Sequence, residues 1–175
     1  MSALILIVHF LFSVLVGACL LRCWSNYVQL GMQNQPGPFI MALTDLLVMP
    51  IRKSLLRNVR LRHLDLASLM VAIGLAWAYS ALVHGVFLSH AGGGTVLVAA
   101  MRFLLETGLN TVFYCVLAHA VLSWVQPYSQ TYGWLERLIS PLLGPIRQVI
   151  PRIGGVDVSG VVLLLVLQVL LMWVA

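Results

Sequence analysis

The chain has 175 residues, of which 61% are hydrophobic and 9% charged, with a net charge of +5. That balance excludes an ordinary soluble domain, where about a quarter of residues are charged. Ten Lys and Arg residues set among so many apolar ones do not make a nucleic-acid surface; their placement in loops reads as topology information instead.

A membrane span needs about 20 mostly apolar residues to cross about 30 Å of hydrocarbon. The first such run covers residues 3–24, interrupted only by His9, Ser13 and Arg22. Within it, Leu15-Val16-Gly17-Ala18-Cys19 resembles a lipoprotein cleavage box. A signal peptide carries a positive n-region, however, and none precedes this run, so it reads as a retained span. A loop helix over 39–58 follows, with an apolar stripe of Phe39, Ile40, Leu43, Leu46, Leu47, Ile51 and Leu55. Pro50 interrupts that stripe inside Pro50-Ile51-Arg52, and Lys53, Arg57, Arg60 and Arg62 make the segment basic. The second span covers 66–88 and carries Trp77, Tyr79 and His84 toward its far end.

Gly92-Gly93-Gly94 forms a flexible turn. The next apolar stretch, Thr95 to Val125, is too long for one crossing and carries Arg102, Glu106 and Asn110. The sequence therefore predicts a third span at 108–125 with a lead-in helix at 95–107 near the surface, where Arg102 and Glu106 pair at i, i+4 spacing. A second amphipathic loop covers 132–150, with Trp134, Leu135, Leu138, Ile139, Leu142, Leu143, Ile146, Val149 and Ile150 on its apolar side. Pro141 and Pro145 are expected to break or kink it, since each removes a backbone donor. The fourth span covers 156–175, after a Gly154-Gly155 turn, and ends near Trp173, which suits an interfacial anchor.

The order span, basic Pro-Ile-Arg loop, Asp, span thus occurs twice, over 1–94 and 95–175. The predicted fold is an all-α membrane protein with four transmembrane helices in two tandem parallel repeats. Arg52, Lys53, Arg57, Arg60 and Arg62 lie in one loop, and Arg137, Arg147 and Arg152 in the other, two spans away. The positive-inside rule puts both loops in the cytoplasm of the bacterial inner membrane, and both termini in the periplasm. Basic amphipathic segments of this kind are drawn to anionic lipid headgroups, so Pro50, Ile51, Arg52, Pro145, Ile146 and Arg147 form a candidate lipid-facing or interface motif.

Asp65 and Asp157 begin the second and fourth spans. Each suits a helix cap, its carboxylate accepting from orphan N–H groups of the first turn. The alternative is a charge cluster or ion site in which the two face each other beside Arg52 and Arg147. Arg22 and His119 are the ionisable side chains to test inside spans, with His9 and His84. His119 stands one turn after Cys115, and Cys19 and Cys23 share that spacing, which leaves metal or haem ligation open beside plain packing. The three cysteines fall inside spans and offer no disulfide framework.

Three stretches carry a family resemblance: His119-Ala120-Val121-Leu122-Ser123-Trp124, then Pro141-Leu142-Leu143-Gly144-Pro145-Ile146-Arg147, then Ile150-Pro151-Arg152-Ile153-Gly154-Gly155-Val156-Asp157-Val158-Ser159. Together they resemble the second unit of the YggT family, also called YlmG, of small bacterial and plastid membrane proteins. In the first unit Arg22, Tyr27, Pro50-Ile51-Arg52 and Leu64-Asp65-Leu66-Ala67-Ser68-Leu69 match more loosely. His119 stands at the family's Arg position, and Leu46 replaces a family Pro. The resemblance implies a non-catalytic role in assembling or organising membrane complexes. Plastid relatives resemble factors for cytochrome b6f maturation, and bacterial members are associated with envelope and osmotic stress. It transfers no catalytic residues.

The residues by themselves point away from an enzyme, since paired carboxylates and bases are lacking. The expected function is an assembly or scaffolding factor that needs no cofactor and no nucleic acid, with anionic lipid and a membrane-protein partner or a second copy as its contacts. Two alternatives stand beside it. One is a small oligomeric ion or osmolyte conduit, a reading that gains if Asn110, Ser123, His119 and Gln168 line a common channel. The other is a haem-handling membrane protein.

Overall fold

The computed structural model describes residues 2–31, 36–54, 65–84, 93–149 and 158–174. Among them the chain forms six helices: α1 (Ser2–Tyr27), α2 (Gly37–Ser54), α3 (Leu66–Leu82), α4 (Gly93–Val125), α5 (Gln130–Val149) and α6 (Val158–Val174). By length and composition α1 and α4 are the two able to cross a membrane. At 1.5 Å per residue, α4 is about 50 Å long, whereas α3 and α6 are about 26 Å each, slightly short of the hydrocarbon thickness.

Local chemistry sets several of these ends. Gln29 takes a left-handed conformation (φ 59°) just past α1, while the N–H of Leu30 bonds the Ser25 carbonyl at 2.9 Å. That is a Schellman-type closure of the helix end. Asp65 caps α3, accepting from the N–H and the hydroxyl of Ser68 at 3.5 and 3.0 Å. Ser129 caps α5 by accepting from the Tyr132 N–H at 3.1 Å.

Helices α1, α2 and α3 all touch one another, and α4, α5 and α6 do the same; α4 joins the two groups through α1 and α3. One apolar cluster gathers Val16, Cys19, Val48, Val71, Ala72 and Phe103, with Ile51 packed on it. Another gathers Val116, Ile139, Leu143, Leu163 and Leu167, with Ile146 packed on it. A third, of Ile40, Trp134, Leu135 and Leu138, ties α2 to α5.

Two expectations change. The lead-in at 95–107 and the span at 108–125 are one continuous helix, and Phe103 is buried in the same cluster as Val16 and Val71. The two charges do not pair with each other. Arg102 Nε reaches the carbonyl of Val174 at the end of α6, 2.6 Å away, and makes no ion pair with Glu106. Pro141 and Pro145 do not break α5. The Arg137 carbonyl, which loses its usual donor to Pro141, accepts the Ser140 hydroxyl at 3.2 Å, and both prolines face outward. Each loop helix packs part of its apolar stripe against protein, while Phe39 and Leu46 of the α2 stripe stay exposed. Ile40 and Val48 of α2, and Trp134, Leu135, Leu138, Ile139 and Leu143 of α5, are buried.

Candidate functional site

A lone arginine five residues from the end of an apolar helix needs a partner, because an uncompensated buried charge is costly. Arg22 is 8% exposed, and its partners come from two other elements. Its Nη1 donates to Thr44 Oγ1 and to Asp45 Oδ1, both at 2.7 Å. Its Nε stands 3.5 Å from Asp65 Oδ2. Thr44 passes the chain onward by donating to the Ile40 carbonyl at 2.8 Å, so its hydroxyl both accepts and donates while fully buried. Both of these ion pairs join Arg22 to a carboxylate of another element.

The arrangement is a clamp. Arg22 on α1 holds the middle of α2 through Thr44 and Asp45, and the first turn of α3 through Asp65. Asp65 is at once the cap of α3 and the partner of Arg22, and its side chain is 5% exposed. The side chain of Asp45 is 37% exposed, so its share of the pairing is more strongly screened by solvent.

The remaining candidates fall apart from this centre. His119 is 6% exposed and its ring stacks on Tyr132 of α5, centroids 4.8 Å apart. Pro50 and Pro145 are exposed, while Ile51 and Ile146 pack into the two main clusters, so the middle residue of each Pro-Ile-Arg motif is a core residue. Arg147 is half-exposed. The Arg52 side chain and Asp157 lie outside the described residues, as do Arg57, Arg60, Arg62, Arg152 and the Gly154-Gly155 turn. His9 Nδ1 and the Tyr79 hydroxyl are 2.9 Å apart, and His9 and His84 line one cleft. Among the described residues no three His, Cys, Asp or Glu side chains gather closely enough to hold a metal.

Within a single chain, the residues named for a channel lie in different places. Asn110 lines a groove between α1 and α4, whereas Gln168 is exposed on α6, and the Ser123 hydroxyl donates to the Ala120 carbonyl of its own helix. Sequence reasoning overlooked Asp45 and Thr44. The available signal was a single carboxylate inside the apolar stripe of α2, between Leu43 and Leu46, which demands a cation from elsewhere.

A bundle of apolar helices, two of them long and apolar enough to cross a membrane, defines a helical protein of the membrane class. The sequence model of the CCB3/YggT family matches residues 1–86 and 98–175, and the chain belongs to that family, a membrane family of uncharacterised function. It is 32% identical over 159 residues to the "Uncharacterized protein YggT" of Escherichia coli K12, covering 89% of this chain and 80% of that one. An "Uncharacterized protein in proC 3'region" of Vibrio alginolyticus is 27% identical over 175 residues, covering 96% of this chain and 91% of its own. "Uncharacterized protein PA0392" of Pseudomonas aeruginosa is 28% identical over 174 residues, covering 97% and 86%. No solved structure matches the chain.

Proposed function

We propose that the chain is a non-catalytic, four-span protein of the bacterial inner membrane, built of two tandem parallel repeats, that serves as an assembly or scaffolding factor for membrane complexes. The family model's two separate matches support the repeat. So does the recurrence of one contact pattern in α1–α2–α3 and α4–α5–α6. The basic loops then face the cytoplasm and both termini the periplasm.

The observation that carries the functional reading is what the clamp holds in place. Arg22, Thr44 and Asp45 fix α2 against the bundle, yet its other side presents Phe39, Leu46 and Met49, which are 63%, 83% and 47% exposed. These side chains fall at positions 39, 46 and 49, one stripe of the helix. Helix α5 differs, since its outward positions include Arg137, Ser140, Pro141, Pro145 and Gln148. Burying a charged cluster to position a helix with an exposed apolar stripe fits a protein that offers that helix to a membrane partner.

The test uses the full-length tagged chain, purified from its native membrane in mild detergent, with co-purifying proteins quantified by mass spectrometry. A stoichiometric membrane complex that is lost with Leu46→Glu and kept with Gln148→Glu supports the reading. A homo-oligomer with no partner, unchanged by either substitution, removes it.

A further inference from the structure

A groove of about 700 Å³ runs between α1 and α4 and is floored by α2 and α5. That volume lies within the range of about 300–1,000 Å³ usual for small-molecule sites. Along α1 its lining extends from Leu6 to Leu21, about 22 Å of helix at 1.5 Å per residue. One leaflet's hydrocarbon is about 15 Å deep, so the groove can hold an acyl chain and part of its head. Its walls are every-fourth-residue ridges: Leu6, Phe10 and Val14 on α1, and Tyr114, Ala118 and Leu122 on α4.

The groove's polar groups include one carboxylate, Glu106, and the donors Tyr114, Thr131 and Trp134, which stand at other points of its lining. The hydroxyls of Ser13 and Thr111 donate to carbonyls of their own helices, Phe10 and Thr107, at 2.9 and 2.7 Å. The Asn110 amide N–H donates to the backbone carbonyl of Glu106 at 3.0 Å, which leaves its Oδ1 as an acceptor. The Glu106 carboxylate has no ion pair and no hydrogen-bond donor among the described residues, although Arg102 stands one turn away. The Glu106 carboxylate and the Asn110 Oδ1, one turn apart on α4, are acceptors at one end of an otherwise mostly apolar trough. Glu106 and His9 also line a second cleft of about 560 Å³, with Arg102, His84 and Thr95 on its walls. The carboxylate therefore stands where the trough meets a more polar space.

We propose that the α1–α4 groove binds a long-chain amphiphile with an ammonium head, the ammonium on Glu106 and Asn110 and the chain lying toward Leu21. An ammonium group has three donors and no acceptor, which matches the Glu106 carboxylate and the Asn110 Oδ1; a carboxylate or phosphate head alone would meet Glu106 as a like charge. A bilayer aminophospholipid and a free alkylamine share this chemistry. In the former, the phosphate has Arg102 available in the adjoining cleft.

The experiment is photo-crosslinking of the purified full-length chain in detergent with diazirine-bearing hexadecylamine and diazirine-bearing palmitic acid, mapped by peptide mass spectrometry. The amine is expected to label the α1 and α4 groove segments saturably and at least tenfold more than the acid. Glu106→Gln should reduce that labelling about tenfold, and Ala118→Trp, which fills the groove away from the carboxylate, should reduce it similarly. Gel filtration of both variants establishes that they remain folded. Repeating the labelling with diazirine-bearing phosphatidylethanolamine in nanodiscs, with and without Arg102→Gln, separates the sources. Loss of lipid labelling alone on Arg102→Gln supports the proposal with the phospholipid as ligand; amine labelling with no lipid labelling supports it with the free amine. Equal labelling by amine and acid, or labelling indifferent to both Glu106→Gln and Ala118→Trp, overturns it.

Discussion

Replacing Arg22 by Ala removes the cation from the clamp and leaves Asp65 inside the bundle without it. The magnitude follows from burial. The side chains of Arg22 and Asp65 are 10% and 5% exposed, and breaking such a buried pair by deleting one partner costs about 3–5 kcal/mol. The Asp45 side chain is 37% exposed, so solvent takes up its charge and its share falls below about 1 kcal/mol. We expect Arg22→Ala to cost about 3 kcal/mol, a loss of roughly 6–12 °C in Tm for a chain of this size. Thermal unfolding of the purified protein in detergent measures it. A second readout is local: a cysteine introduced by Val48→Cys, at a fully buried site on α2, should become reactive to a soluble maleimide once the clamp is broken. The neutral triple variant Arg22→Met, Asp45→Asn, Asp65→Asn should regain most of the loss, because it leaves no uncompensated charge. A Tm for Arg22→Ala within 2 °C of the parent, on the order of less than 1 kcal/mol, would refute the reasoning. So would a triple variant no more stable than Arg22→Ala.

Other expectations concern backbone and packing. Gln29→Gly should stabilise the protein by about 1 kcal/mol, since the left-handed conformation at φ 59° is strained for a residue with a Cβ; an unchanged Tm would contradict this. A Cβ on Gly17 would stand 2.8 Å from Thr111 Oγ1, so Gly17→Ala should cost about 1–3 kcal/mol. Adding Thr111→Ala should recover most of it, and a double-mutant cycle with no coupling would show that α1 and α4 do not meet there. Asp65→Asn should keep the cap on Ser68 and lose only the Arg22 pairing, whereas Asp65→Ala should lose both and be about 1 kcal/mol worse. Equal stability of the two would remove capping from the role of Asp65.

The membrane character and the helix content were legible in the sequence because they follow from local composition. A run such as Val161 to Val174 can bury its backbone only as a helix, whatever surrounds it. The cap at Asp65 was legible for the same reason, since the carboxylate serves N–H groups within its own turn. Arg22 could be singled out as an ionisable residue in an apolar helix, but its partners could not. Thr44 and Asp45 are 22 and 23 residues away, and Asp65 belongs to a third helix.

The continuity of α4 was illegible because Arg102 and Glu106 look like a charged pair that needs water. Only the tertiary structure places Val174 beside Arg102, and Phe103 among α1 and α3 residues. The same holds for α2 and α5. Their sequences fix which side chains form an apolar stripe, but a stripe has no information about whether protein or lipid covers it. The sequence by itself determined an apolar, helical, basic-looped membrane chain, since each of those properties is summed over neighbours along the backbone. Tertiary structure decided that Arg22 joins three helices, that Ile51 and Ile146 are core, and that Glu106 faces a groove. Those facts depend on which helices cross and at what register, a choice made by packing side chains distant in sequence.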